Sequence, residues 1–182
     1  MREGRALSPR SPTRGMTCIN ARDQSRASAR KAGENAHRVS PQGISGMSKD
    51  LRAAAVQVAA QAYARYSNFH VGAALRSVSG KVYTGCNVEN AAYPLALCAE
   101  RGAISAAVAA EGAAFRLQAI AVVAFDANGV AQAVTPCGAC RQVMVEFGAD
   151  AEVGFDSADG WRTLPAADLL PHRFILREAA PI

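Results

Sequence analysis

The sequence predicts an α/β fold in three layers, α/β/α, with a mixed five-stranded sheet between its helices. Segments of helical and strand periodicity alternate in the order α-β-β-α-β-α-β-β-α, which puts helices on both faces of one sheet. Two β-type runs, Val71 to Val78 and Lys81 to Val88, are separated only by Ser79-Gly80, a link suited to an antiparallel hairpin. The run Leu117 to Phe125 is apolar with almost no alternation, as expected of a strand covered on both sides.

The remaining elements follow in order. A first helix is expected from a capping Ser48 to about Arg65, because Leu51, Ala54, Ala55, Val58, Ala59 and Ala62 recur at spacings of three and four. After the hairpin, Pro94 breaks the chain. An Ala-rich helix then runs from Cys98 to Ala110, with Gly112 just beyond its end. Asp126-Ala127-Asn128-Gly129 turns the chain after the third strand. Pro136 opens a helix that runs to Phe147 and stops at Gly148. Short strands Ala151 to Phe155 and Trp161 to Leu164 flank a turn at Ser157 to Gly160, and Ala166 to Leu170 forms a last helix stopped by Pro171.

Charge divides the 182 residues into two parts. Residues 1–46 carry nine Lys and Arg against three acids, while 47–182 carry eleven against twelve. The net charge of +5 is therefore not spread over the folded part, which offers no basic stripe for a nucleic acid. The first segment is rich in Arg, Ser, Gly and Pro and poor in large apolar residues, so it cannot bury enough surface to offset the entropy of ordering. It is expected to be a disordered basic extension, with a single domain over 47–182. No apolar run approaches the ~20 residues needed to cross a bilayer, and no signal-peptide core precedes a cleavage site. A cytoplasmic protein is expected, with neither a membrane nor a nucleic acid as partner.

The chemistry is carried by cysteines. There are five, Cys18, Cys86, Cys98, Cys137 and Cys140, and without a secretory signal they read as metal ligands or buried thiols. In Pro136-Cys137-Gly138-Ala139-Cys140 the two sulfurs share one side of a helix start, where free N–H groups favour thiolates. Such a pair alone could equally be a redox dithiol. Cys98, also at a predicted helix start, argues instead for a third metal ligand. Three protein ligands without an evident fourth is the pattern of a catalytic zinc that keeps a position for water. Cys86, in a strand segment, reads as a small buried thiol. Glu100, two residues after Cys98, suits a general acid/base near that water. Arg101 can donate to sulfur and offset the negative charge of three thiolates.

Gly85-Cys86-Asn87-Val88-Glu89-Asn90-Ala91-Ala92-Tyr93-Pro94, Cys98-Ala99-Glu100-Arg101 and Pro136-Cys137-Gly138-Ala139-Cys140-Arg141-Gln142 together resemble the small, homotetrameric cytidine deaminases of pyrimidine salvage, over about Lys49 to Phe174. The resemblance implies one Zn²⁺ per chain on Cys98, Cys137 and Cys140, and hydrolytic deamination of cytidine and deoxycytidine to the uridine counterparts and ammonia. Glu100 would move the protons without being a ligand. It also implies that Asn87 and Glu89 bond the ribose hydroxyls, that Phe69 packs on the pyrimidine, and that Ala91 and Tyr93 line the nucleoside site, in part from a neighbouring subunit. The backbone N–H of Ala99 is a candidate donor to the base, and Phe174 resembles the family's closing aromatic, which reaches an adjacent subunit's pocket. Cys98 stands where polynucleotide and deoxycytidylate deaminases carry His, which points to free nucleosides.

The sequence departs from that pattern at His70, where many members have Pro, and at Gly102, where many have Thr. A glycine inside a helix costs about 1 kcal/mol against Ala, so Gly102 is expected to mark close backbone packing. A deaminase of another base and a non-catalytic zinc module are the rival readings. The first would use Asn87 and Glu89 differently, and the second would close the metal's fourth position.

Overall fold

The computed structural model describes residues 46–176. The expected basic extension thus lies outside the described residues, apart from Gly46, where the first helix begins. The helices are α1 (Gly46–Ala59), α2 (Ala99–Glu111) and α3 (Gly138–Phe147). The strands are β1 (His70–Ser77), β2 (Val82–Cys86), β3 (Leu117–Phe125), β4 (Ala131–Gln132), β5 (Glu152–Ser157) and β6 (Gly160–Pro165). They form one mixed sheet in the order β2-β1-β3-β5-β6, with β4 paired to the end of β3. Only β3 and β5 run parallel.

Strand alternation sorts the core into two layers. Ala74, Ala119, Ala121 and Val123 face α1 through Leu51, Ala55 and Ala59. Ala73, Leu75, Ile120, Val122, Val153 and Phe155 face the opposite way, onto Ala103, Ile104 and Ala107 of α2 and Cys140 and Met144 of α3. The α/β/α architecture is as expected. So is the covering of β3 on both faces, buried from Ala119 to Ala124.

Small residues let the helices sit low on the sheet. A Cβ on Gly72 would meet the backbone of Ala55 and Ala59, and one on Gly85 would stand 2.5 Å from the carbonyl oxygen of Ala99. The close approach that positions α2 is therefore at Gly85. Around Gly102 the nearest atom to such a Cβ is Leu97 Cδ2 at 3.7 Å, an ordinary contact, so the expected packing role of Gly102 is not found.

Several boundaries differ from expectation. The sheet has a sixth strand, β4, whose two residues are too few to show periodicity. The hairpin connection spans residues 78–81, not two residues, with Gly80 at φ +87°. It is closed by the Ser77 N–H on the Lys81 carbonyl at 2.9 Å. Helix α1 already runs through Ser48, which is thus no cap, and stops at Ala59 because Tyr63 leaves the helix to pair with 87–89. For the same reason β2 ends at Cys86, and Val88 bridges Tyr63 and Leu97 instead of continuing the ladder. Helix α3 starts at Gly138 with Cys137 as its N-cap, so Pro136 precedes the helix. The last helix is a single 3₁₀ turn, Ala166–Leu169.

Candidate active site

Two helix starts converge. Cys98 is the N-cap of α2 and Cys137 the N-cap of α3, both with extended backbone, and Cys140 lies in the first turn of α3. The three sulfurs all lie within 4.8 Å of one another, with Cys98 and Cys137 4.0 Å apart. Cys140 is fully buried, Cys98 half-buried and Cys137 exposed, so the cluster opens on one side. Cys86 is not part of it. Its thiol faces the Gln61 carbonyl at 3.6 Å.

The donor set fits a soft divalent ion. Cys98 is pulled down to about 5, foremost by the hydrogen bond from Cys140, against burial and with help from Arg101. The Cys140 thiol is correspondingly held up by the same bond to Cys98 and by burial. Cys98 thus sheds its proton readily while Cys140 retains its own, because adjacent thiolates repel. A bound cation removes that repulsion and lets all three sulfurs ionise, which is the chemistry of a zinc–thiolate site.

Glu100 is 5% exposed, in the first turn of α2 beside these sulfurs. Burial pushes its carboxyl up from the ordinary value, and the charge of Cys98 adds to this, while its own backbone N–H opposes. Arg101 donates through Nη2 to Cys98 Sγ at 3.8 Å and to the Ala96 carbonyl at 3.0 Å. Ala99 is the first residue of α2, where N–H groups have no partner within the helix.

A second group is built by the segment that leaves the ladder after Cys86. Asn87 accepts from the Val71 N–H at 2.8 Å and donates to the Phe69 carbonyl at 2.8 Å, so it fixes the backbone on both sides of His70. Glu89 accepts the Ser67 hydroxyl at 2.5 Å and the Tyr66 N–H at 2.7 Å. The Ser67 hydroxyl and then the Tyr66 N–H hold its carboxyl below the usual value. Asn87 and Glu89 lie beyond the end of β2. Tyr66, Ser67, Glu89, Asn90, Tyr93 and Ala96 line a cavity of about 280 Å³. Ala91 is exposed beside it in sequence, and Tyr93, 75% exposed, meets Tyr66 edge-on at 6.3 Å. The Ala96 carbonyl, held by Arg101, joins this group to the cysteines.

Phe174 is not among the residues that line that cavity. Its backbone is held by Gln142 of α3 and its ring is 69% exposed. A larger cavity, about 360 Å³, lies between α1 and the turn after β3 and contains none of the expected site residues. Sequence reasoning missed Ser67 and Tyr66 as partners of Glu89, since nothing in a short polar loop marks them. Arg141 and Gln142 belong to the motif and directly follow the cysteine pair, but the sequence alone assigns them no contact of their own.

The family model described as the cytidine and deoxycytidylate deaminase zinc-binding region matches residues 47–155. A cytidine deaminase of Sporosarcina psychrophila is 53% identical over 87 residues, which are 48% of this chain and 60% of that protein. A cytidine deaminase of Mycobacterium tuberculosis is 45% identical over 124 residues, covering 68% of this chain and 86% of the relative. Among solved structures, cytidine deaminase from Mycobacterium tuberculosis superposes with a TM-score of 0.60 at 43% identity, over 70% of this chain and 97% of that one. Cytidine deaminase from Burkholderia pseudomallei gives 0.61 at 46%, over 69% and 98%. With the family model spanning more than half of the sequence and the mycobacterial relative matched along most of its length, the chain belongs to the cytidine deaminase family of enzymes.

Proposed function

We propose that the chain is a zinc-dependent hydrolase that converts cytidine and deoxycytidine, with water, to uridine and deoxyuridine plus ammonia, serving pyrimidine salvage in the cytoplasm. The convergence of three cysteine sulfurs from two helix starts beside a buried carboxyl carries this reading. Cys98, Cys137 and Cys140 would hold one Zn²⁺ per chain. The ion would supply a Lewis acid that makes water acidic near neutral pH.

The chain's own residues supply the rest. Glu100 would take a proton from the attacking water and give it to N3 of the pyrimidine as the hydroxide oxygen bonds C4. It would then take the proton of the new C4 hydroxyl and pass it to the amine, so that the C4–N bond breaks, C4=O forms and ammonia leaves. Burial raises the proton affinity of its carboxyl, which helps it take up that proton. The Ala99 N–H would donate to the base. Phe69 packs on the ring, and Asn87 and Glu89 bond the sugar hydroxyls with the lone pairs and N–H left over from their contacts with 66–71. Tyr93, Leu95 and Leu97 are exposed apolar residues on the loop next to the cavity. Such exposure supports burial against further copies, as in a homotetramer in which Ala91, Tyr93 and Phe174 complete a neighbour's site. The enzymatic domain would span residues 47–182. Among the described residues no helix is long and apolar enough to cross a membrane.

The test is ammonia release from cytidine and from deoxycytidine by the purified full chain, before and after chelation, with metal content measured in parallel. Both nucleosides should be turned over, activity should follow zinc at about one ion per chain, and each of Cys98→Ala, Cys137→Ala and Cys140→Ala should lose both. Turnover that persists in the fully demetallated protein contradicts the reading.

A further inference from the structure

The described end of the chain is fixed in an unusual way. The side-chain amide of Gln142 accepts the Phe174 N–H through Oε1 at 3.1 Å and donates through Nε2 to the Phe174 carbonyl at 2.9 Å. Both polar groups of one residue are thus taken by one side chain, as a neighbouring strand would take them. One position earlier on α3, Arg141 donates through Nε to the Pro136 carbonyl at 2.7 Å and through Nη1 to the Leu169 carbonyl at 3.1 Å. The helix turn that bears Cys137 and Cys140 therefore grips the closing segment at Leu169 and again at Phe174.

What the grip holds is not buried. The Phe174 ring is 69% exposed, and Ile175 and Leu176 are exposed at 66% and 78%. Among the described residues the aromatic pairs are Tyr66–Tyr93 and Phe115–Phe147, so the Phe174 ring stacks on none. Two hydrogen bonds at an exposed surface contribute little net stability, because water can replace them. They do fix the direction in which the ring leaves the backbone, and an aromatic held in advance costs less entropy when its partner arrives.

We propose that Gln142 is a positioning residue, whose amide holds the Phe174 backbone so that the ring is presented to a bound nucleoside. This rests on the reading above in which Phe174 closes a nucleoside site. Gln142 itself touches no reacting atom, so it governs how substrate is held and not the chemical step.

The experiment uses the zinc-loaded full chain and the variants Gln142→Ala, Gln142→Met, Phe174→Ala and Gln142→Met/Phe174→Ala, where Met keeps the bulk of the side chain without its hydrogen bonds. Exchange of the Phe174 amide should accelerate at least about tenfold in both Gln142 variants, since its acceptor is gone. KM for cytidine should rise roughly three- to tenfold in each single variant, the size of one aromatic contact. kcat should stay within about twofold and zinc content should be unchanged. The double variant should be no worse than Phe174→Ala, because both changes remove the same contact.

Unaltered exchange at Phe174 would show that no clamp exists and overturn the proposal. Accelerated exchange with unchanged KM in the Gln142 variants, while Phe174→Ala raises KM, would show that the clamp does not aim the ring. Losses that multiply in the double variant also contradict it. If Phe174→Ala leaves KM unchanged, the reading of Phe174 as a site residue fails first, and the proposal falls with it.

Discussion

The guanidinium of Arg101 stands 3.8 Å from the sulfur of Cys98, the residue that caps the same helix, and the same nitrogen also holds the Ala96 carbonyl at 3.0 Å. One side chain thereby ties a sulfur of the cysteine cluster to the wall of the neighbouring cavity.

Arg101→Ala should therefore weaken the site without abolishing it. The charge that favours the Cys98 thiolate disappears, and outer contacts of this kind typically change metal affinity by about 10–100-fold. Competition with a chelator of known affinity measures it. Zinc binding as tight as in the parent chain would show that the contact is incidental.

The two glycines of the site's scaffold should respond in opposite directions. Gly85→Ala drives a methyl into the Ala99 carbonyl, 2.5 Å away, and must lift the helix start that carries Cys98 off β2. A loss of about 1–3 kcal/mol is expected, the usual cost of overpacking, together with weaker metal binding. Gly102→Ala meets nothing closer than 3.7 Å and should stabilise α2 by up to about 1 kcal/mol. Thermal unfolding of the two variants decides the matter, and equal effects would mean that α2 is not seated as described.

Much of this arrangement is legible in the sequence. Cys98, Cys137 and Cys140 announce themselves because capping geometry and thiolate chemistry demand the same local position, the first turn of a helix. The layer order is legible because β3 is apolar throughout and the hairpin is short. Less legible is whatever depends on a distant partner. Tyr63 carries no local sign that it abandons α1 to pair with 87–89, so the helix end and the end of β2 are both misjudged. Gly102 looks like the close-packing glycine because it interrupts a helix, whereas Gly85 fills that role from a strand, and only the fold brings it under α2. Ser67 and Gln142 act through partners more than twenty residues away.

Glu89 supplies a test by pH. Its carboxyl is held below the ordinary value, first by Ser67 and then by Tyr66, so the folded state binds that proton less readily than the unfolded chain does. The stability it adds is present above the ordinary carboxylate range and is lost as pH falls through the lowered folded value. Ser67→Ala should move the Glu89 titration upward toward the ordinary value, read by NMR of the carboxyl carbon. A titration unaffected by the substitution would mean that the Ser67 contact does not form in solution.

If Glu100 moves protons beside a metal it does not ligate, zinc content measured together with cytidine turnover in Glu100→Gln separates the two roles. The amide keeps the shape of the side chain but cannot accept and release a proton. Zinc should equal that of the parent chain, and turnover should fall by at least the roughly 10²–10⁴-fold typical of a general acid/base. Near-normal turnover in the zinc-loaded variant would contradict the proton-moving role, and loss of the zinc would show Glu100 to be part of the metal's support.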